Sequence, residues 1–92
     1  MRYSWSLEGL DQVRAQGLTP GEVHEALAGP GRRLRQAIDG RTLRIVGSTA
    51  ESRLIEVWLR ESDEDHEWDV WIAFDAGSVA TAQWKNAFGG EQ

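Results

Sequence analysis

Cysteine is absent from all 92 residues, which removes disulfides, thiolate metal ligands and thiol nucleophiles together. The chain is expected to fold without covalent staples and without a cofactor. Histidine occurs only twice, as His24 and His66, and neither stands beside a nucleophile in the sequence. Also missing are a phosphate-cradling glycine loop, a paired-carboxylate motif and a nucleophile elbow. No run approaches the roughly 18 apolar residues that a membrane-spanning helix needs. Residues 1–8 lack the apolar stretch of a secretory signal, so the expected location is the cytoplasm.

What the chain does contain is 40% hydrophobic and 27% charged residues, enough for one compact domain with a single small core. Residues 1–88 are expected to form that domain and residues 89–92 a flexible tail. The net charge of −5 is unevenly spread: nine arginines and seven acids fall in residues 1–60, but one lysine and eight acids in residues 61–92. Segregation of this kind lets a net-acidic protein present a basic face, or cover that face with its own acidic segment.

Local patterns predict the elements. Tyr3 and Trp5 alternate with polar neighbours as a short strand, and Ser6 then caps a helix over residues 7–16, stopped by a left-handed Gly17. Thr19, Pro20 and Glu22 form a capping box with proline at the first helical position, opening a second helix whose apolar face is Val23, Ala26 and Leu27. From Arg32 the period becomes two, and Asp39-Gly40 marks a tight hairpin. A two-residue turn there pairs Ile38 with Arg41, Gln36 with Leu43 and Leu34 with Ile45, and sets Arg35 across from Arg44. A strand over residues 53–60 points Ile55, Val57 and Leu59 at the core and brings Glu56 beside Arg44. A strand over residues 68–74 points Trp68, Val70, Ile72 and Phe74 the same way. A short helix over residues 78–87 closes the chain. The expected class is α+β: an antiparallel sheet of four to five strands, with two N-terminal helices and a short C-terminal helix on one of its faces.

The arginine cluster carries most of the chemistry. A cross-strand pair such as Arg35 and Arg44 costs about 0.2–1 kcal/mol unless an anion covers it. With Arg32, Arg33 and Arg41 around it, the cluster reads as an RNA-backbone surface, because guanidinium stays charged and donates bidentately to phosphate. The competing reading is a solvated edge hairpin whose charges discourage aggregation and are balanced by Glu56 and the acidic segment. Six carboxylates surround His66 in residues 61–69, but the spacing is not that of a calcium loop, so no metal site is expected. That segment is expected to screen the arginine face. His24 lies between Glu22 and Glu25 as a surface helix residue, with general acid–base work as the alternative. Of the five tryptophans, Trp5 and Trp68 suit the core. Trp58 and Trp71 point away from the helices, as a partner surface or an oligomer interface.

Several of these segments, namely Tyr3-Ser4-Trp5, Leu18-Thr19-Pro20-Gly21-Glu22-Val23 and Arg41-Thr42-Leu43-Arg44-Ile45-Val46-Gly47 followed by Arg53-Leu54-Ile55, resemble BrnT toxins. These are RelE-like ribonucleases of bacterial toxin–antitoxin modules. The resemblance covers about residues 3–74 and implies a RelE-like fold, an antitoxin partner, assembly as a homodimer or a toxin–antitoxin hetero-oligomer, and metal-independent cleavage of mRNA by the ribose 2′-hydroxyl. On that basis Arg41 and Arg53 would stabilise charge, Arg32, Arg33, Arg35 and Arg44 would hold the RNA, and His24 would move a proton. The family's Lys-His-Gly at the end of the first helix is Ala15-Gln16-Gly17 here, and its arginine-rich last helix is almost uncharged here. Both departures remove groups that would stabilise a charged transition state. The alternative function is therefore a catalytically silent RelE-fold module that binds protein.

Overall fold

The computed structural model describes residues 2–62 and 67–89. Strand β1 (Arg2–Trp5) leads into helices α1 (Leu7–Ala15) and α2 (Pro20–Ala28). Strands β2 (Arg33–Asp39), β3 (Thr42–Ser48), β4 (Leu54–Glu61) and β5 (Glu67–Asp75) follow, then α3 (Ser78–Trp84), which runs into a π-helical turn, Lys85–Gly89. The five strands form one sheet in the order β1-β5-β4-β3-β2. The class is α+β, as expected, but the sheet is mixed. Strands β2 to β5 are an antiparallel meander, whereas β1 lies parallel to β5, Tyr3 beside Trp68 and Trp5 beside Val70. The two helices between β1 and the meander allow this, because a parallel partner needs a crossover too long for a hairpin.

Both helix starts follow the capping chemistry written in their residues. Ser6 Oγ accepts from the Gly9 N–H at 3.0 Å. Thr19 Oγ1 accepts from the Glu22 N–H at 3.1 Å while the Glu22 carboxylate accepts from the Thr19 N–H at 2.9 Å, a complete capping box. Gly17 has φ +76, the left-handed conformation that glycine adopts without a Cβ penalty. The helices cover one sheet face, where Val13, Val23, Ala26 and Leu27 meet Leu43, Ile45, Ile55, Val57, Leu59, Val70 and Ala73. Tyr3, Trp5 and Trp68 pack at its margin. The Tyr3 hydroxyl donates to the Leu27 carbonyl at 3.0 Å, tying β1 to the end of α2, and burial pushes its phenol pKa up.

Two strand irregularities overturn registers expected from strict alternation. In the β2–β3 hairpin the turn is Gly40-Arg41, Asp39 pairs with Thr42, and an extra residue at Ile38 shifts the pairing by one. Arg35 therefore stands opposite Ile45 and Gln36 opposite Arg44, and the like-charged pair of Arg35 and Arg44 does not form. A bulge puts two residues against one and re-aims everything beyond it. The second lies in β5: Trp58 pairs with Ile72 but Leu59 with Val70, which leaves Trp71 as the extra residue. Trp68 and Val70 point to the helices as expected, but Ala73 takes the next inward place, and Ile72 and Phe74 turn to the second face.

The last difference concerns α3, which was expected on the same face as the other helices. It contacts β3 from the other side, over Val46, which is fully buried yet outside the helix-side cluster, as is the buried Ala80 of α3. Trp84 Nε1 donates to the Arg32 carbonyl at 3.1 Å and anchors the end of this helix. No helix among the described residues is long and apolar enough to cross a membrane.

Candidate functional site

Three arginines expected to face RNA are occupied within the chain. Arg33 turns back onto α2: Nε donates to the Ala26 carbonyl at 3.2 Å, and Nη2 donates to the Gly29 and Gly31 carbonyls. A cation there satisfies the orphan carbonyls at a helix C-terminus. Arg53 grips Asp75 bidentately, at 2.7 and 3.0 Å, and reaches Glu22 at 2.9 Å. The Arg53 guanidinium holds Asp75 below the ordinary carboxylate value. Glu22 is lowered first by the Thr19 backbone N–H and then by Arg53, and Arg53 itself is raised by Asp75. Arg44 is the most enclosed of the three. Its Nε donates to Glu56 Oε2 at 2.8 Å and its Nη1 to Gln36 Oε1 at 2.9 Å, with both charged side chains about 10% exposed. Trp58 Nε1 donates to the same Glu56 oxygen at 2.7 Å. Arg44 and Glu56 are thus ion-paired as expected, although Glu56 is registered to Val46 and Arg44 to Trp58.

The remaining candidates are spread over the molecule. Arg41 stands exposed at the tip of the β2–β3 hairpin, 3.5 Å from Glu61. It adjoins Thr42, which pairs with Arg60, whereas Arg53 adjoins Leu54, which pairs with Ser48 at the other end of the same ladder. Arg41 lies level with Glu61 and Arg53 with Thr49, and eight residue steps along the ladder put the two arginines about 27 Å apart, so they do not share a phosphate. His24 is exposed on α2, on the helix side of the sheet, and no contact among the described residues joins it to Arg41 or Arg53. Arg32 is exposed, with its guanidinium 5.8 Å from the Phe88 ring centre, and Arg35 is exposed on the helix-side face of β2.

One constellation was not anticipated. Arg60 lies over the Trp71 ring at 4.4 Å, a cation–π contact made by the β5 bulge that turns Trp71 outward. Trp71 is 41% exposed. An open hollow of about 480 Å³ lies beside it, lined by residues that include Ser6, Glu8, Gln12, Arg60 and Asp69. Arg60 also borders a second hollow with Arg41, Thr42, Glu61 and Asp69. Mixed charge at this end of the sheet suits a polar, partly apolar partner better than a polyanion. Asp63, Glu64, Asp65 and His66 lie outside the described residues, as does the screening assigned to them, and so do residues 90–92 of the expected tail. Among the described residues no group of three or more histidine or acidic side chains could hold a metal ion.

The β2–β3 hairpin was expected at an edge of the sheet, and what the sequence did not reveal there is the backbone that the edge leaves open. Strand β2 is an outer strand, and residues 35–39 are all exposed. The mixture of arginine and apolar residues in it was read for its side chains, whereas what the edge offers is backbone. Compared with known proteins, the chain matches no family model and no curated protein.

Proposed function

We propose that this chain is a BrnT-like, RelE-fold component of a toxin–antitoxin module that works as a protein-binding module and is catalytically silent towards RNA. Its support on the side of the fold is the element order, one strand, two helices, a four-strand meander and a last helix, which is the order read from the local patterns that include the resembling segments. The observation that carries the binding reading is the internal use of Arg33, Arg44 and Arg53. A guanidinium already saturated by carboxylates or carbonyls has few donors left for a phosphate, and the carboxylates beside it repel one. The open features that remain, the bare strand edge and the aromatic Trp71 beside a hollow, are those of protein interfaces.

A second reading, RNA binding with cleavage, is favoured by one observation, that Arg41, Arg60 and Trp71 stand exposed at one end of the sheet. A single experiment separates the two. Purified protein is mixed with a single-stranded RNA pool in chelator, and both cleavage and binding are followed between low and high salt. The proposal expects no cleavage and no steep loss of affinity with salt, the mark of phosphate neutralisation. Metal-independent cleavage that disappears in Arg41→Ala overturns it and establishes the nuclease reading. The partner side is checked by co-expression with the product of an adjacent small reading frame encoding a DNA-binding protein, where a stoichiometric complex is expected.

A further inference from the structure

The hydrogen-bond parity of the sheet identifies which backbone groups of β2 are free. Ser48 N–H donates to the Arg32 carbonyl, while Thr49 N–H donates to the Arg53 carbonyl and Glu61 N–H to the Arg41 carbonyl. In an antiparallel ladder bonded pairs alternate with unbonded ones. Even-numbered residues of β3 therefore bond to β2, and odd-numbered ones to β4. On β2 the bonded positions are Arg32, Leu34 and Gln36, and the N–H and C=O of Arg35 and Ala37 point outward. Trp84 and Phe88 sit at the Arg32 end, and beyond it residues 35–39 are exposed, a free run of about 17 Å at 3.4 Å per residue. The other sheet edge, β1, is only four residues long.

Natural sheets blunt such edges with bulges and charges, and the Ile38 bulge shortens this one without covering it. The charge around it selects the occupant. Residues 32–41 carry four arginines and one aspartate, of which Arg33 is spent on α2. A second copy of the chain would bring one such basic edge against another, with like charges close across the new ladder. An acidic strand would find Arg35 along its length, Arg32 and Arg41 just beyond its two ends, the latter 3.5 Å from Glu61, and Ile38, 44% exposed, as an apolar contact. We infer that the free edge of β2 receives an extended acidic segment of a partner protein, which adds a sixth strand through the backbone of Arg35 and Ala37. This rests on the protein-binding reading and names its surface and the chemistry of its partner.

The test uses the whole chain, labelled with ¹⁵N, and a blocked eight-residue peptide in which glutamate alternates with valine and threonine. Peptides with lysine or with glutamine in place of glutamate serve as comparisons. Amide exchange of Arg35 and Ala37 is expected to slow about tenfold or more on saturation with the acidic peptide, as for newly bonded strand amides. Leu34 and Gln36 should change little. The lysine peptide should not protect these amides, and the glutamine peptide should bind more weakly than the acidic one. Proline at an outward N–H removes no β2–β3 bond, so Ala37→Pro is expected to keep the tryptophan near-UV spectrum and the urea midpoint while losing the peptide. If that variant fails to fold, Arg35→Glu serves instead and should weaken the acidic peptide while strengthening the lysine one. Unprotected Arg35 and Ala37 amides at saturating peptide, equal binding of all three peptides, or a concentration-dependent dimer abolished by Ala37→Pro would each overturn the inference. None of those results touches RNA cleavage, so failure of the edge and failure of the binding reading are told apart. Cleavage sinks the reading, and an unprotected edge in a chain that neither cuts RNA nor loses its co-expressed partner sinks the edge alone.

Discussion

At the scale of single residues the arginines divide by what surrounds them. Arg44 is enclosed on the second face with Glu56, Gln36 and Trp58, whereas Arg35, two strand positions from a helix-capping Arg33, projects into solvent. Removing one partner of a buried ion pair strands the other, at a cost of about 3–5 kcal/mol. Arg44→Ala is accordingly expected to lower the free energy of unfolding by about 3 kcal/mol, and Arg35→Ala by no more than about 0.5 kcal/mol. Urea denaturation followed by tryptophan fluorescence measures both. The double variant Arg44→Met with Glu56→Leu should recover most of the loss, because an apolar pair of similar volume desolvates no charge. If Arg44→Ala behaves like Arg35→Ala, the pair is solvated and Arg44 returns to the set of groups free to bind an anion.

At the scale of elements the close approach of α2 to β3 is the tightest constraint. A Cβ added at Gly47 would overlap the Ala26 carbonyl oxygen and press on its carbon at 2.9 Å. Both atoms belong to backbone and cannot swing aside, so the helix would have to lift from the sheet. Gly47→Ala is expected to cost about 1–3 kcal/mol as an overpacked site. Gly40→Ala, where nothing lies within 4 Å, should cost clearly less, and equal urea midpoints for the two variants would contradict the packing argument. The bulges matter at this scale too. The one in β5 exchanges Ile72 for Ala73 at the core face and exposes Trp71, and the one in β2 parts Arg35 from Arg44. Both re-aim the side chains on which any binding surface depends.

At the scale of the molecule, Arg53 joins three distant parts of the chain: the first turn of α2 through Glu22, the start of β4, and the end of β5 through Asp75. Both carboxylates are held below their ordinary values of 4.5 and 3.8. A carboxyl group lowered by folding contributes stability that is fully present above its unfolded value and is lost as pH falls through its folded value. Stability should therefore be flat near neutrality with respect to these groups and decline below about pH 4.5 as both protonate. Thermal midpoints measured across this range should show a shallower acid decline in Arg53→Met than in the parent chain. Parallel declines would mean that the clamp is too well solvated to contribute.

Much of this fold was written locally. The Ser6 cap, the Thr19-Pro20-Glu22 capping box, the left-handed Gly17 and the inward set Ile55, Val57 and Leu59 depend on neighbours within a few residues, and each stands where its pattern placed it. The ion pair of Arg44 with Glu56 was also legible, because opposite charges on one sheet face lie within reach even when the register slips. What alternation alone could not supply was the two extra residues, Ile38 and Trp71, since a bulge is chosen by the fit of two strands to a shared core and leaves no repeat to read. The parallel seat of β1 beside β5 and the placing of α3 over Val46, on the sheet face that the first two helices leave bare, were likewise matters of tertiary packing. The fate of the arginines followed from those choices. Sequence determined that the first sixty residues would carry nine guanidiniums, and only the tertiary structure decided that Arg33, Arg44 and Arg53 would be spent inside the molecule, because carboxylates and helix-end carbonyls distant along the chain reach them when it folds.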